Sequence, residues 1–185
     1  MAFKILSINP GSTSTKVALF VDEKELYSIN IEHSTEELKG YGGVIEQLDF
    51  RTKAILREMK KQKTDLSELS AVVGRGGMLP PVSAGGYLVN QNMKNVLQSD
   101  RVVDHASNLG ALIAAAVAEP LGIPAYIYDA VSSDEFCDLA RVTGMPEFPR
   151  RNLSHVLNTK AMGRKYAAER GISYNDVNLI IAHLG

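Results

Sequence analysis

The way this chain opens constrains its fold more than any other feature. Residues 3–8, FKILSI, are a short apolar run that stops at Asn9-Pro10-Gly11, a strong turn signal. TKVALFV resumes directly afterwards, and residues 26–31 then alternate apolar and polar with the period of a half-buried strand. Helix and strand patterns alternate from there on. Val44, Ile45, Leu48, Ile55, Leu56 and Met59 recur at helical spacing, with Arg and Lys in the gaps, between Gly42-Gly43 and the basic cluster at 60–63. Residues 70–73 read as a buried strand opening into GRGGMLPP. NLGALIAAAVAEPLG, after Ser107, reads as a buried helix. Residues 125–128 and 178–182 read as two further short strands. Three opening strands followed by alternating helix and strand predict an α/β fold, a mixed sheet with helices packed on its faces.

Composition narrows the function classes. The 185 residues are 45% apolar and 22% charged, which fits an ordinary globular chain and rules out bulk disorder. A formal charge of −1 leaves no electrostatic footprint for nucleic acid or an anionic membrane. The longest apolar run, 111–118, is too short to cross a bilayer, and MAFKILSINPG lacks the pattern of a signal peptide. A single cysteine, Cys137, excludes an internal disulfide framework and a cysteine-based zinc site; Cys137 and His33 both read as structural. A cytoplasmic protein with no nucleic-acid or membrane partner is expected. The apolar strand at 178–182 runs straight into the last residues, so the chain is expected to continue past Gly185 in a longer protein.

Five segments could carry chemistry. NPGSTSTK places four hydroxyl residues and a lysine at a hairpin turn, a concave arrangement suited to phosphate oxygens. It is not a P-loop: the second glycine is missing, and Val17 stands where Ser or Thr is required. VGRGG sets Arg75 among glycines after a buried strand, so the backbone could pass close to a ligand and the guanidinium could clamp a carboxylate or phosphate. In DHASN, His105 precedes the apolar helix, with Asp104 or Ser107 as its cap. YDAVSSDEF puts Asp129 at the carboxyl end of a strand, where ligands gather in α/β sheets and where a carboxylate could orient substrate or magnesium. RRNLSH brings His155 to the start of a further helix.

Taken in order, INPGSTSTK, VGRGG, DHASNLGA, YIYDAVSSDEF, RRNLSHVLNTKA and NLIIAHLG resemble the butyrate kinases, a branch of the acetate kinase group within the sugar kinase–actin–Hsp70 superfamily. The resemblance implies a ribonuclease-H-like mixed sheet forming one half of an actin-like two-domain kinase. Residues 1–177 would be the N-terminal acceptor-side domain, and 178–185 the cut-off start of a nucleotide-binding domain. It further implies phosphorylation of a short-chain carboxylate by ATP with magnesium, giving an acyl phosphate, and makes a homo-oligomer plausible. Carried over residue by residue, it makes Asn9, Ser12, Ser14 and Lys16 the phosphate-side hairpin, and His183 and Gly185 the start of a second phosphate-binding turn. Arg75 becomes the clamp, Asp129 a catalytic or magnesium-linked carboxylate, and His105 and His155 candidates for phosphoryl contacts. The acetate kinase pattern has a second histidine near His155 that this chain lacks. Acetate or a branched-chain acid as substrate, and a non-catalytic module built on half of this fold, remain as alternatives.

Overall fold

The computed structural model describes residues 2–182. Strands β1 (Lys4–Pro10), β2 (Ser14–Val21) and β3 (Lys24–Glu32) form the expected antiparallel meander. A one-turn helix α1 (Thr35–Leu38) and a 3-10 turn (Ile45–Gln47) lead into helix α2 (Leu48–Lys61). Strand β4 (Ala71–Arg75), the two-residue β5 (Tyr87–Leu88), helix α3 (Gln91–Leu97), helix α4 (Asn108–Ala118) and β6 (Ala125–Tyr128) follow. Helices α5 (Asp138–Arg141) and α6 (Val156–Glu169) come last. The six strands form one sheet in the order β3-β2-β1-β4-β6-β5. Its centre, β1, β4 and β6, is parallel, while β2, β3 and β5 join antiparallel, so the sheet is mixed as expected.

Alternation along the central strands gives the sheet two unlike faces. Leu6, Ile8, Val17, Leu19, Val72, Ala125 and Ile127 point to one side and are buried. On that side Ile55 and Met59 of α2, with Leu109, Leu112 and Ile113 of α4, complete the core. Helix α4 is apolar all round because nearly all of it is buried, from Asn108 to Ala118. It approaches β4 so closely that side chains are excluded: a Cβ on Gly74 would lie 2.0 Å from the Gly110 carbonyl oxygen. The other face carries Ile5, Ser7, Phe20, Val73, Tyr126 and Tyr128, and these line an open groove.

Four expectations need correction. Residues 178–182 form no strand, although an apolar strand was expected there; Ile180 is fully exposed and Ile181 is 41% exposed. A short apolar run becomes a strand only where a sheet edge is open to it. Here Leu179 and Ile181 lie instead over Gly163 of α6. Val73 is half-buried because it belongs to the groove face. Ser107 sits at the N-cap of α4 without a capping hydrogen bond, its hydroxyl turned to His105 Nδ1 at 2.7 Å. Cys137 is exposed, since it precedes the short α5 on the surface. His183 and Gly185 lie outside the described residues.

Candidate functional site

The β1–β2 hairpin carries Asn9 and Lys16 as cross-strand partners, so both side chains leave the sheet on the same face. Between them the chain turns tightly, closed by the Gly11 N–H donating to the Ser14 carbonyl at 2.8 Å. The His33 N–H donates to the Thr13 carbonyl at 2.8 Å and ties the turn to the end of β3. Ser12 and Lys16 are exposed, and Ser14 is half-buried.

Beneath this turn lies a residue that sequence reasoning missed. Arg51 of α2 is fully buried, although an arginine between apolar helical positions was expected on the solvated side. Its Nη1 donates to the carbonyls of Gly11 (2.7 Å) and Ser14 (3.0 Å), and its Nη2 to the carbonyl of Ser12 (2.9 Å). Nε and Nη2 both donate to Gln47 Oε1, at 3.0 and 2.8 Å. The signal was available: residues 44, 48, 51, 55 and 59 are one stripe at helical spacing, and Arg51 stands in its middle.

Across the groove, Arg75 ends β4 and Asp129 follows β6, and these parallel strands deliver both residues to the same edge of the sheet. Asn9, Arg75 and Asp129 line one open groove of about 520 Å³, whose remaining wall is largely apolar. His155, at the head of α6, joins them across eighty residues of sequence. Arg75 Nη2 donates to His155 Nε2 at 3.2 Å, and His155 Nδ1 faces Asp129 Oδ2 at 3.9 Å. A guanidinium only donates, so His155 Nε2 accepts, and the ring proton is assigned to Nδ1 on the side of Asp129. Asp129 itself holds the helix in place: its Oδ1 accepts from the Leu157 N–H at 3.0 Å, and its backbone adopts the left-handed region, φ 53°.

Arg75 is half-buried. Burial pulls its guanidinium below the usual arginine value, and the negative charge of Asp129 works against that. Among the described residues, the one buried side-chain nitrogen or oxygen without a hydrogen-bond partner is Arg75 Nε. Two of the glycines around Arg75 serve packing: Gly76 abuts Ala130, and Gly77 abuts Asn108. Buried Asn108, the last residue of the DHASN segment, has a structural role that the sequence did not reveal. It accepts from the Met78 N–H at 2.9 Å and donates to the Val103 carbonyl at 2.9 Å, fastening the segment after Arg75 to the head of α4.

His105 is not among the residues that line the groove. It is exposed, and its Nδ1 is occupied by the hydroxyl and N–H of Ser107 at 2.7 and 3.2 Å. The structure therefore gathers Asn9, Arg75, Asp129 and His155, and sets Ser12, Ser14 and Lys16 on the adjoining hairpin. Among the described residues, no group of three or more His, Cys, Asp or Glu could hold a metal ion, and no helix is long and apolar enough to cross a membrane.

No family model matches the chain. Curated proteins do. Over its whole length the chain is 47% identical to "Butyrate kinase 2" of Clostridium acetobutylicum, covering 52% of that protein. Over 183 residues, 99% of the chain, it is 49% identical to "Probable butyrate kinase 2" of Caldanaerobacter subterraneus subsp. tengcongensis, again covering 52%. The chain spans about half the length of the curated relatives it matches. Among solved structures, the acetate kinase of Porphyromonas gingivalis superposes with a TM-score of 0.58 at 15% identity, over 93% of this chain and 50% of that one. The resemblance to butyrate kinases thus holds along the entire chain, and the fold is one found within acetate kinase.

Proposed function

We propose that this chain is the acceptor-side part of a butyrate kinase, which transfers the γ-phosphoryl group of ATP reversibly to a short-chain carboxylate, butanoate by preference. One observation carries this reading: the half-buried Arg75 at the groove edge, with its Nε–H lacking an acceptor. A desolvated donor of that kind matches an oxygen of a carboxylate or phosphoryl group. The likeness to butyrate kinases supports the choice of acid. On this reading residues 1–177 form the acceptor-side domain, and 178–185 begin the nucleotide-binding one.

The chemistry needs no base. A carboxylic acid with a pKa of about 4–5 is ionised at neutral pH and is already a nucleophile. One carboxylate oxygen bonds to the γ-phosphorus as the bond from phosphorus to the β,γ-bridging oxygen breaks. The electron pair departs with ADP, and no proton moves. The obstacle is bringing one anion up to another, so positioning and charge neutralisation do the catalysis. Arg75 receives the carboxylate or the transferring group, and His155 accepts from Arg75 and fixes its fork. Asn9, the hydroxyls of Ser12 and Ser14, and the Lys16 ammonium receive the phosphoryl oxygens, with His105 a further candidate. Magnesium, when bound with ATP, neutralises phosphoryl charge. A lone Asp129 fits an ion held chiefly by nucleotide oxygens and water.

The test is an acyl-hydroxamate assay of the complete gene product with ATP and magnesium, across acetate, butanoate and branched acids. Butanoate is expected to give the highest kcat/KM. A higher value for acetate or a branched acid would move the substrate assignment, and no product with any acid would overturn the reading.

A further inference from the structure

The reaction gives no role to Arg51, yet the fold goes to unusual lengths to place it. Its guanidinium is wholly inside the protein, and among the described residues no carboxylate lies within ion-pair distance. Every acceptor it uses is neutral: the Gln47 amide, the carbonyls of Gly11, Ser12 and Ser14, and the Thr15 hydroxyl at 3.2 Å. Thr15 Oγ1 in turn meets His33 Nε2 at 2.9 Å. Burial lowers the pKa of His33, and the charge of Arg51 lowers it further. A buried cation is ordinarily matched by an anion, because removing it from water is costly. Here its positive charge stays uncancelled behind the turn.

We infer that Arg51 is a positioning residue for the phosphate-binding turn, an assignment that rests on the phosphoryl-transfer reading above. Its three carbonyl contacts draw the oxygens of Gly11, Ser12 and Ser14 inward. In a trans peptide the N–H points opposite to the C=O. The N–H groups of Ser12 and Thr13 are thereby turned outward, beside the exposed Ser12 and Lys16. Successive outward amides make a concave anion cradle, and an uncancelled cation behind it adds attraction from the protein side. Arg51 thus shapes the turn and charges it without touching the nucleotide.

Gln47→Glu separates the two possible roles of Arg51. The substitution is isosteric and keeps an acceptor for Nε and Nη2, but it places a carboxylate against the guanidinium. If Arg51 only holds the fold together, the new ion pair leaves Tm unchanged or raised and KM for ATP unaltered. If its charge serves the turn, Tm is likewise kept but KM for ATP rises about tenfold, with KM for the carboxylate unmoved. Arg51→Lys, which keeps the charge and loses the fork, should lose more in kcat than in KM for ATP. If that variant does not fold, Gln47→Glu still decides. Should the wild-type protein form no acyl phosphate at all, the functional reading fails by itself. Calorimetric titration of wild type and Gln47→Glu with ATP and magnesium then judges Arg51: about tenfold weaker binding supports the assignment, and equal affinities overturn it.

Discussion

Replacing Gly110 by alanine sets two effects of opposite sign against each other. In a helix, alanine is favoured over glycine by up to about 1 kcal/mol, and Gly110 lies in the first turn of α4. Against this, a Cβ on Gly110 would lie 2.1 Å from the Arg75 carbonyl oxygen and 3.1 Å from its carbonyl carbon. Both partners are backbone, so no side chain can swing aside. Helix α4 must retreat by about 1 Å or more to restore a normal contact, loosening packing that buries nearly its whole length. Overpacking of this kind costs about 1–3 kcal/mol, and a backbone-to-backbone clash belongs at or above the upper end. The expected net loss is about 2–3 kcal/mol, or roughly 4–12 °C in Tm for a chain of this size. Because the atom struck belongs to Arg75, its guanidinium should move with it, and on the proposed function a displacement near 1 Å costs on the order of 10²-fold in kcat/KM. Thermal unfolding by circular dichroism, with Gly144→Ala as the control, provides the measurement; nothing lies within 4 Å of a Cβ at Gly144. A Gly110→Ala protein as stable as wild type would refute the close crossing of α4 over β4, since helix propensity would then have prevailed.

Further expectations follow from the site and its surroundings. Arg75→Lys keeps the charge but loses the fork, and should lower kcat/KM of the complete enzyme by about 10²-fold or more while Tm holds; unchanged kinetics would return Arg75 to an ordinary surface turn. Asp129→Ala removes the acceptor for the Leu157 N–H and should cost about 1 kcal/mol of stability, whereas Asp129→Asn keeps an acceptor and should lose activity alone. The pKa of His33 is lowered from 6.5, by burial first and the Arg51 charge second, with Glu37 and Glu32 opposing. Between that lowered value and 6.5 the unfolded chain binds the proton and the folded one does not. Stability should therefore be complete above pH 6.5 and fall as pH drops toward the folded value, and urea midpoints of His33→Gln should show a flatter profile there. The 185-residue chain alone is expected to unfold cooperatively and to form no acyl phosphate with ATP, magnesium and butanoate; ordinary turnover by the purified chain would show that the site is complete within it.

What could be read from the sequence, and what could not, divides along physical lines. The opening meander, α2, α4 and β6 were legible because their apolar periods reflect which face each one buries. The run at 178–182 misled for the same reason: local pattern records a preference for burial and not whether a sheet edge is open to receive the strand. The short β5 and α3 bury little, and their residues carry too weak a period to mark them. Motif order pointed to Asn9, Arg75, Asp129 and His155, but the bond from Arg75 to His155 spans eighty residues and depends on where α6 is docked. Arg51 was hidden by its own chemistry. An arginine is usually solvated, and here its burial is explained by carbonyls 37 to 40 residues away, which no local window contains.

In the proposed reaction a carboxylate oxygen attacks the γ-phosphorus beside Arg75 and the hairpin. The most direct measurement is ³¹P NMR of the complete gene product turning over ATP with magnesium and butanoate labelled with ¹⁸O in both carboxylate oxygens. An acyl phosphate resonance carrying the ¹⁸O isotope shift of a bridging oxygen is expected, together with its loss in Arg75→Lys. Release of inorganic phosphate without any labelled acyl phosphate would contradict it.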